Sequence, residues 1–169
     1  MRLAVLLLLS LTTAFGADDK KYALRDFTPG RYISGPRVTP ALQKDKATLL
    51  FFWGYVVNGT RSGASLKMFQ SIADKHKDDL VVIGIEDLNQ AGSAKLIPLL
   101  LKADGITFSN YSGCRAPFKV QELPRLCLFD RDGKMTYNGG LKVDELDGEL
   151  AKALGAPETK VDKAAVIQK

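Results

Sequence analysis

Thr48-Leu-Leu-Phe-Phe-Trp53 runs for six residues without the polar alternation of a half-exposed strand. A run of this kind needs apolar cover on both faces, which places it at the centre of a sheet. A second run, Leu80-Val-Val-Ile-Gly-Ile85, has the same character. Between them Leu66, Phe69, Ile72, Ala73 and His76 recur at helical spacing, which predicts an amphipathic helix over 64–77. Strand, helix, strand in this order reads as a parallel pair joined by a crossover helix.

The rest of the chain extends that pattern. Residues 54–63 form a loop in which Asn58-Gly59 is a turn signal. Ser93 is placed to cap a helix running to about Ala103, with Leu96, Leu99 and Leu100 inward, Pro98 kinking it or delaying its start, and Gly105 ending it. Ile106-Thr107-Phe108 reads as a short strand and 115–121 as one or two helical turns. Arg125–Phe129 and Lys134–Tyr137 form a hairpin across Asp130-Arg-Asp-Gly133. Val143–Leu154 is a closing helix stopped by Gly155 and Pro157. The fold class is therefore α/β.

Met1–Ala17 stands apart. Arg2 precedes the apolar run Leu3–Leu9, and Ala14-Phe15-Gly16 supplies small residues for cleavage, as in a secretory signal peptide. The run is far shorter than the ~20 residues of a spanning helix, so no stable membrane anchor is expected after cleavage. Losing Arg2 takes the net charge from +5 to +4. The expected organisation is 1–17 signal peptide, 18–38 irregular N-terminal segment with a short strand near Tyr32-Ile33, 39–155 folded domain and 156–169 basic, flexible tail. The mature protein is expected to be exported, periplasmic or extracellular.

Composition excludes several functions. Two cysteines are too few for a disulfide scaffold or a Cys₄ zinc site, and one histidine, His76, leaves no metal-hydrolase set. His76 reads as a surface or half-buried residue near a helix C-terminus. A modest basic charge spread along the chain gives no nucleic-acid footprint. No cofactor and no metal is expected.

The order of elements, with Leu123-Pro124 just before the hairpin, resembles the thioredoxin superfamily, and within it the exported TlpA/ResA-type and AhpC/TSA-type members. The likeness rests on Thr48–Gly54, Leu80–Ile85 and Leu123-Pro-Arg-Leu-Cys-Leu-Phe-Asp-Arg-Asp-Gly-Lys-Met135, and spans about 39–155. It implies a central mixed β-sheet with helices on both faces and a C-terminal hairpin plus helix. It also implies that Pro124 is cis and that the main chain before it pairs with an extended substrate strand. The alternative is that this proline only shapes the turn.

The family's chemistry does not follow. Redox-active members open the first helix with a Cys-x-x-Cys whose thiol is activated there. Counting from Trp53, those positions hold Val57-Asn58-Gly59-Thr60, and no cysteine occurs from Asp18 to Gly113. Val57 is no nucleophile, and no base near Thr60 activates its hydroxyl. Thus no catalytic residue is assigned. Cys127 reads as a buried strand residue and Cys114 as a loop residue. The pair is open to three readings: a disulfide, two free thiols, or a redox role.

The expected function is a non-catalytic module binding a protein or extended peptide along Val57–Thr60 and Leu123-Pro124. The competing reading is a thiol-disulfide oxidoreductase or thiol peroxidase-like enzyme acting through Cys114, with Cys127. A third is a small-ligand binder beside the sheet edge. Glu86-Asp87 reads as a solvated turn, and Trp53, Phe51 and Phe52 as core. Asn58-Gly-Thr60 and Asn110-Tyr-Ser112 match the N-glycosylation pattern.

Overall fold

A computed structural model describes residues 22–54, 56–57, 60–61, 63–86 and 93–155. The signal peptide and the basic tail expected from the sequence lie outside them. The elements are β1 (Thr28–Ser34), α1 (Pro40–Gln43), β2 (Ala47–Trp53), β3 (Val56–Val57), β4 (Thr60–Arg61), α2 (Gly63–Lys75), β5 (Leu80–Glu86), α3 (Ser93–Ala103), β6 (Ser109–Arg115), β7 (Arg125–Phe129), β8 (Met135–Gly140) and α4 (Val143–Leu154).

Six strands form one sheet in the order β1-β6-β5-β2-β7-β8, and β3 and β4 form a separate hairpin. β2, β5 and β6 are parallel, while β1, β7 and β8 each pair antiparallel with their neighbour. Every residue of β2 and of β5 is buried, as the unbroken apolar runs require. Complete burial of each of Phe51 and Phe52 contributes about 1.5–3 kcal/mol.

The two crossovers β2-α2-β5 and β5-α3-β6 step the same way across the sheet, so a common hand puts both helices on one face. Leu66 and Phe69 of α2, Ile97 and Leu101 of α3, and Leu146, Leu150 and Ala153 of α4 accordingly share one core with Leu49, Phe51 and Trp53. The opposite face packs Leu50, Phe52, Ile83, Ile85, Cys127 and Phe129. Its cover is short: Leu42 of α1, Phe27, and residues 116–123. Phe27 stands edge-on to Phe129, with ring centroids 5.2 Å apart.

Several local expectations change. No helix forms over 115–121; Arg115 ends β6 and the rest is irregular. Pro117 disfavours helical backbone at Ala116, and Phe118 and Val120 pack onto the sheet at strand-like spacing. The third parallel strand is Ser109–Arg115 rather than 106–108, because the chain still has to leave α3. Gly105 takes a left-handed φ of 68°, and the Ile106 amide donates to the Leu101 carbonyl at 2.8 Å. β1 is longer than the short strand expected near Tyr32-Ile33 and fills much of the otherwise irregular segment, since antiparallel pairing with β6 satisfies its backbone groups. Within α3, Ile97 and Leu101 point inward, whereas Leu96 and Leu99 are 50% and 64% exposed. A helix apolar on most sides does not reveal its buried face by periodicity.

Candidate functional site

The site named by the resemblance lies where β2 ends and β7 begins. The ladder between these strands runs to Phe52 opposite Arg125, so Leu123-Pro124 runs beside the end of β2. The Leu123–Pro124 peptide bond is cis. The Leu123 side chain is half-buried and packs on the second core. Among the described residues, no hydrogen bond engages its amide or carbonyl. Arg125 fixes the other side of this corner: its Nε donates to Asn138 Oδ1 at 2.8 Å, and its guanidinium lies 5.3 Å from the Phe118 ring centroid.

The 57–60 segment is not the start of a helix. Val57 pairs with Thr60, and Val56 with Arg61, in the β3–β4 hairpin. Asn58 and Gly59 lie outside the described residues. α2 opens later, at Gly63, with Gly63-Ala-Ser-Leu66 as its first turn. A thiol at 57 or 60 would therefore not occupy the helix N-terminus that lowers a thiol pKa. The loop expected over 54–63 contains a hairpin because the Asn58-Gly59 pair separates two residues able to extend and pair.

Cys114 and Cys127 are not joined in a disulfide. Cys127 is central to β7, with Leu50 and Asn138 as its ladder partners, and is 0% exposed. Burial pushes its pKa from 9.0 up to about 12; Arg125 acts in the opposite direction and Cys114 adds to the rise. A thiol of that pKa supplies almost no nucleophile at neutral pH. Cys114 lies in β6 opposite Pro29, half-buried against the second core, rather than in a loop. The strand continues through it because β1 supplies backbone partners as far as Arg115.

Glu86 is likewise buried rather than solvated. The ladders extend to Trp53, Glu86 and Ser112, which carries the carboxylate under the helices; its Oε2 accepts from the Ser112 hydroxyl at 3.2 Å. Asp87 lies outside the described residues. Asn110 is also fully buried, and its Nδ2 donates to the Phe108 carbonyl at 2.8 Å. A glycan on Asn110 is incompatible with this fold. Sequence reading missed Ser109 and Asn110 as buried polar residues; the only signal was their place in a strand of mixed polarity.

Among the described residues, no three His, Cys, Asp or Glu side chains gather as a metal site, and no helix is long and apolar enough to cross a membrane. A shallow hollow between β7, β8 and α4, lined by Leu126, Tyr137 and Leu146, encloses no space for a small molecule.

No family model and no curated protein matches the chain. Solved structures do. A thiol:disulfide interchange protein of the thioredoxin family from Chlorobium tepidum superposes with a TM-score of 0.63 at 16% identity, covering 82% of this chain and all of its own. A DsbF homologue from Corynebacterium diphtheriae gives 0.60 at 18% identity, covering 88% of this chain and 99% of its own. A secreted disulfide oxidoreductase from Mycobacterium tuberculosis, homologous to E. coli DsbE, gives 0.55 at 18%, with 74% and 95% covered. These superpositions extend over most of this chain and nearly all of each neighbour, and the chain is a thioredoxin-fold protein.

Proposed function

We propose that this is an exported thioredoxin-fold protein that binds an extended peptide non-covalently and performs no dithiol chemistry. One observation carries the reading: at the corner where β2 meets β7, the Leu123 main chain is left without a hydrogen-bond partner among the described residues, while the cysteines lie elsewhere, at 114 and 127. Free amide and carbonyl groups beside a sheet are what strand addition uses for affinity. The β3–β4 hairpin follows directly on the end of β2 in the chain. Export is supported by the Met1–Ala17 pattern and by the secreted protein among the structural neighbours. Affinity is modest, because a short edge buries little area and ordering a peptide is costly.

The test is selection of linear peptides from a displayed library on the mature protein, followed by titration of one selected peptide into ¹⁵N-labelled protein. The reading expects amide shifts centred on Leu123 and the end of β2. Shifts confined to another surface, or failure to enrich any peptide, would reject it. The second reading, a thiol enzyme acting through Cys114, draws its support from the oxidoreductase neighbours, and the buried Cys127 thiol weighs against a resolving partner.

A further inference from the structure

From Lys95 to Ala103, the exposed residues of α3 are Lys95, Leu96, Pro98, Leu99, Lys102 and Ala103. All are apolar or basic, and the whole helix contains no acid. Ile97 and Leu101, four residues apart, bury one side of it against the first core. At about 3.6 residues per turn, Leu99 falls opposite the midpoint of that pair. It is 64% exposed, and Leu96 beside it is 50% exposed.

A surface helix normally turns charged residues outward opposite its buried stripe, whereas α3 turns out a leucine. Lys95 lies one turn before Leu99 and Lys102 one turn after, so the two lysines flank it. Among the described residues neither lysine forms an ion pair. Asp104, the acid that follows the helix, is held by Lys67 at 3.2 Å. Leucines set between cations suit a helix lying in a membrane interface. The apolar side chains enter the acyl boundary, and the lysine stems carry their ammonium groups back to the headgroups. A second copy fits this face less well. Two α3 helices packed on these faces, parallel or antiparallel, bring lysine against lysine with no acid between them.

We infer that the outward face of α3 docks on a membrane surface rich in anionic headgroups, with Leu96 and Leu99 inserted and Lys95 and Lys102 on the phosphates. The contact is peripheral: among the described residues no helix is long and apolar enough to cross a membrane. Two leucines and two charges give weak attachment that salt reverses. α3 belongs to the first core and Leu123 packs on the second, across the sheet, so docking does not use the Leu123-Pro124 corner.

The test is co-sedimentation of the mature protein with vesicles at low ionic strength. Vesicles of phosphatidylglycerol and phosphatidylcholine are expected to carry protein down, and vesicles of phosphatidylcholine alone are not. The Leu96→Ser, Leu99→Ser double variant keeps the charge and is expected to bind about tenfold more weakly. Lys95→Gln, Lys102→Gln is expected to lose at least as much. All four positions are exposed, and circular dichroism checks that the variants are folded. Failure of wild type to bind the anionic vesicles would overturn the inference. So would equal binding by the leucine variant, since overall charge would then be the cause. Self-association of wild type that the leucine variant abolishes, without vesicle binding, would give the face to a second copy and overturn it as well.

Discussion

Cys127 Sγ lies 3.6 Å from Asn138 Oδ1, across the ladder in which the two residues are paired. The thiol thus has an acceptor for its proton and is shut off from solvent on a central strand. Both features favour the neutral form. We predict that native protein titrated with a thiol reagent at pH 8 yields at most one reacting thiol, Cys114, and that Cys127 appears only on unfolding. Two fast equivalents in native protein would contradict this.

The same burial makes stability depend on pH. In the unfolded chain the Cys127 thiol ionises near its ordinary 9.0, whereas in the fold it does so at about 12. Between these values the folded state binds more protons than the unfolded state, so stability falls as pH rises. The slope approaches about 1.4 kcal/mol per pH unit. Denaturant unfolding of wild type and Cys127→Ala from pH 8 to 11 is expected to show the steeper loss in wild type. Equal slopes would refute the assignment.

Gly35 and Gly105 both adopt left-handed backbone, with φ of 81° and 68°. They differ in their surroundings. A Cβ at Gly35 would run into the Phe108 carbonyl and lie 2.9 Å from Ser109 Cα, whereas at Gly105 nothing lies within 4 Å. Gly105→Ala is expected to cost about 1 kcal/mol from backbone strain alone. Gly35→Ala adds a backbone collision and is expected to exceed about 2 kcal/mol. Chemical unfolding of the two variants checks the order.

Gln70 ties α2 to the chain entering β6. Its Oε1 accepts from the Thr107 amide at 2.7 Å, and its Nε2 donates to the Thr107 hydroxyl at 2.9 Å and to Asp74 Oδ1 at 2.8 Å. Gln70→Ala is expected to lose about 1 kcal/mol, since the exposed Thr107 amide can turn to water. Hydrogen exchange at Thr107 should accelerate with it.

Much of the frame is legible in the residues, because β2 and β5 have unbroken apolar runs and α4 has a regular Leu146, Leu150, Ala153 stripe ended by Gly155 at φ 70°. The β7–β8 turn is legible for a similar reason: Asp130 Oδ1 accepts from the amides of Asp132 and Lys134, and Gly133 takes the positive φ. What stays hidden is non-local. β1 and β6 owe their length to each other, and nothing in Ser109-Asn-Tyr-Ser-Gly-Cys-Arg115 alone announces a seven-residue strand. Within the candidate site, Leu123-Pro124 could be placed because it precedes an identifiable hairpin. Glu86 and Asn110 could not, since their burial depends on how far the parallel ladders run before the chain turns away.

Whether the fold is kept without dithiol chemistry is read out by the reduction of insulin with dithiothreitol. The mature protein is expected to give precipitation no faster than the control without protein, because no thiol occupies the turn opening α2 and Cys127 is held neutral. A rate well above that control, abolished by Cys114→Ser, would contradict it and establish the thiol enzyme instead.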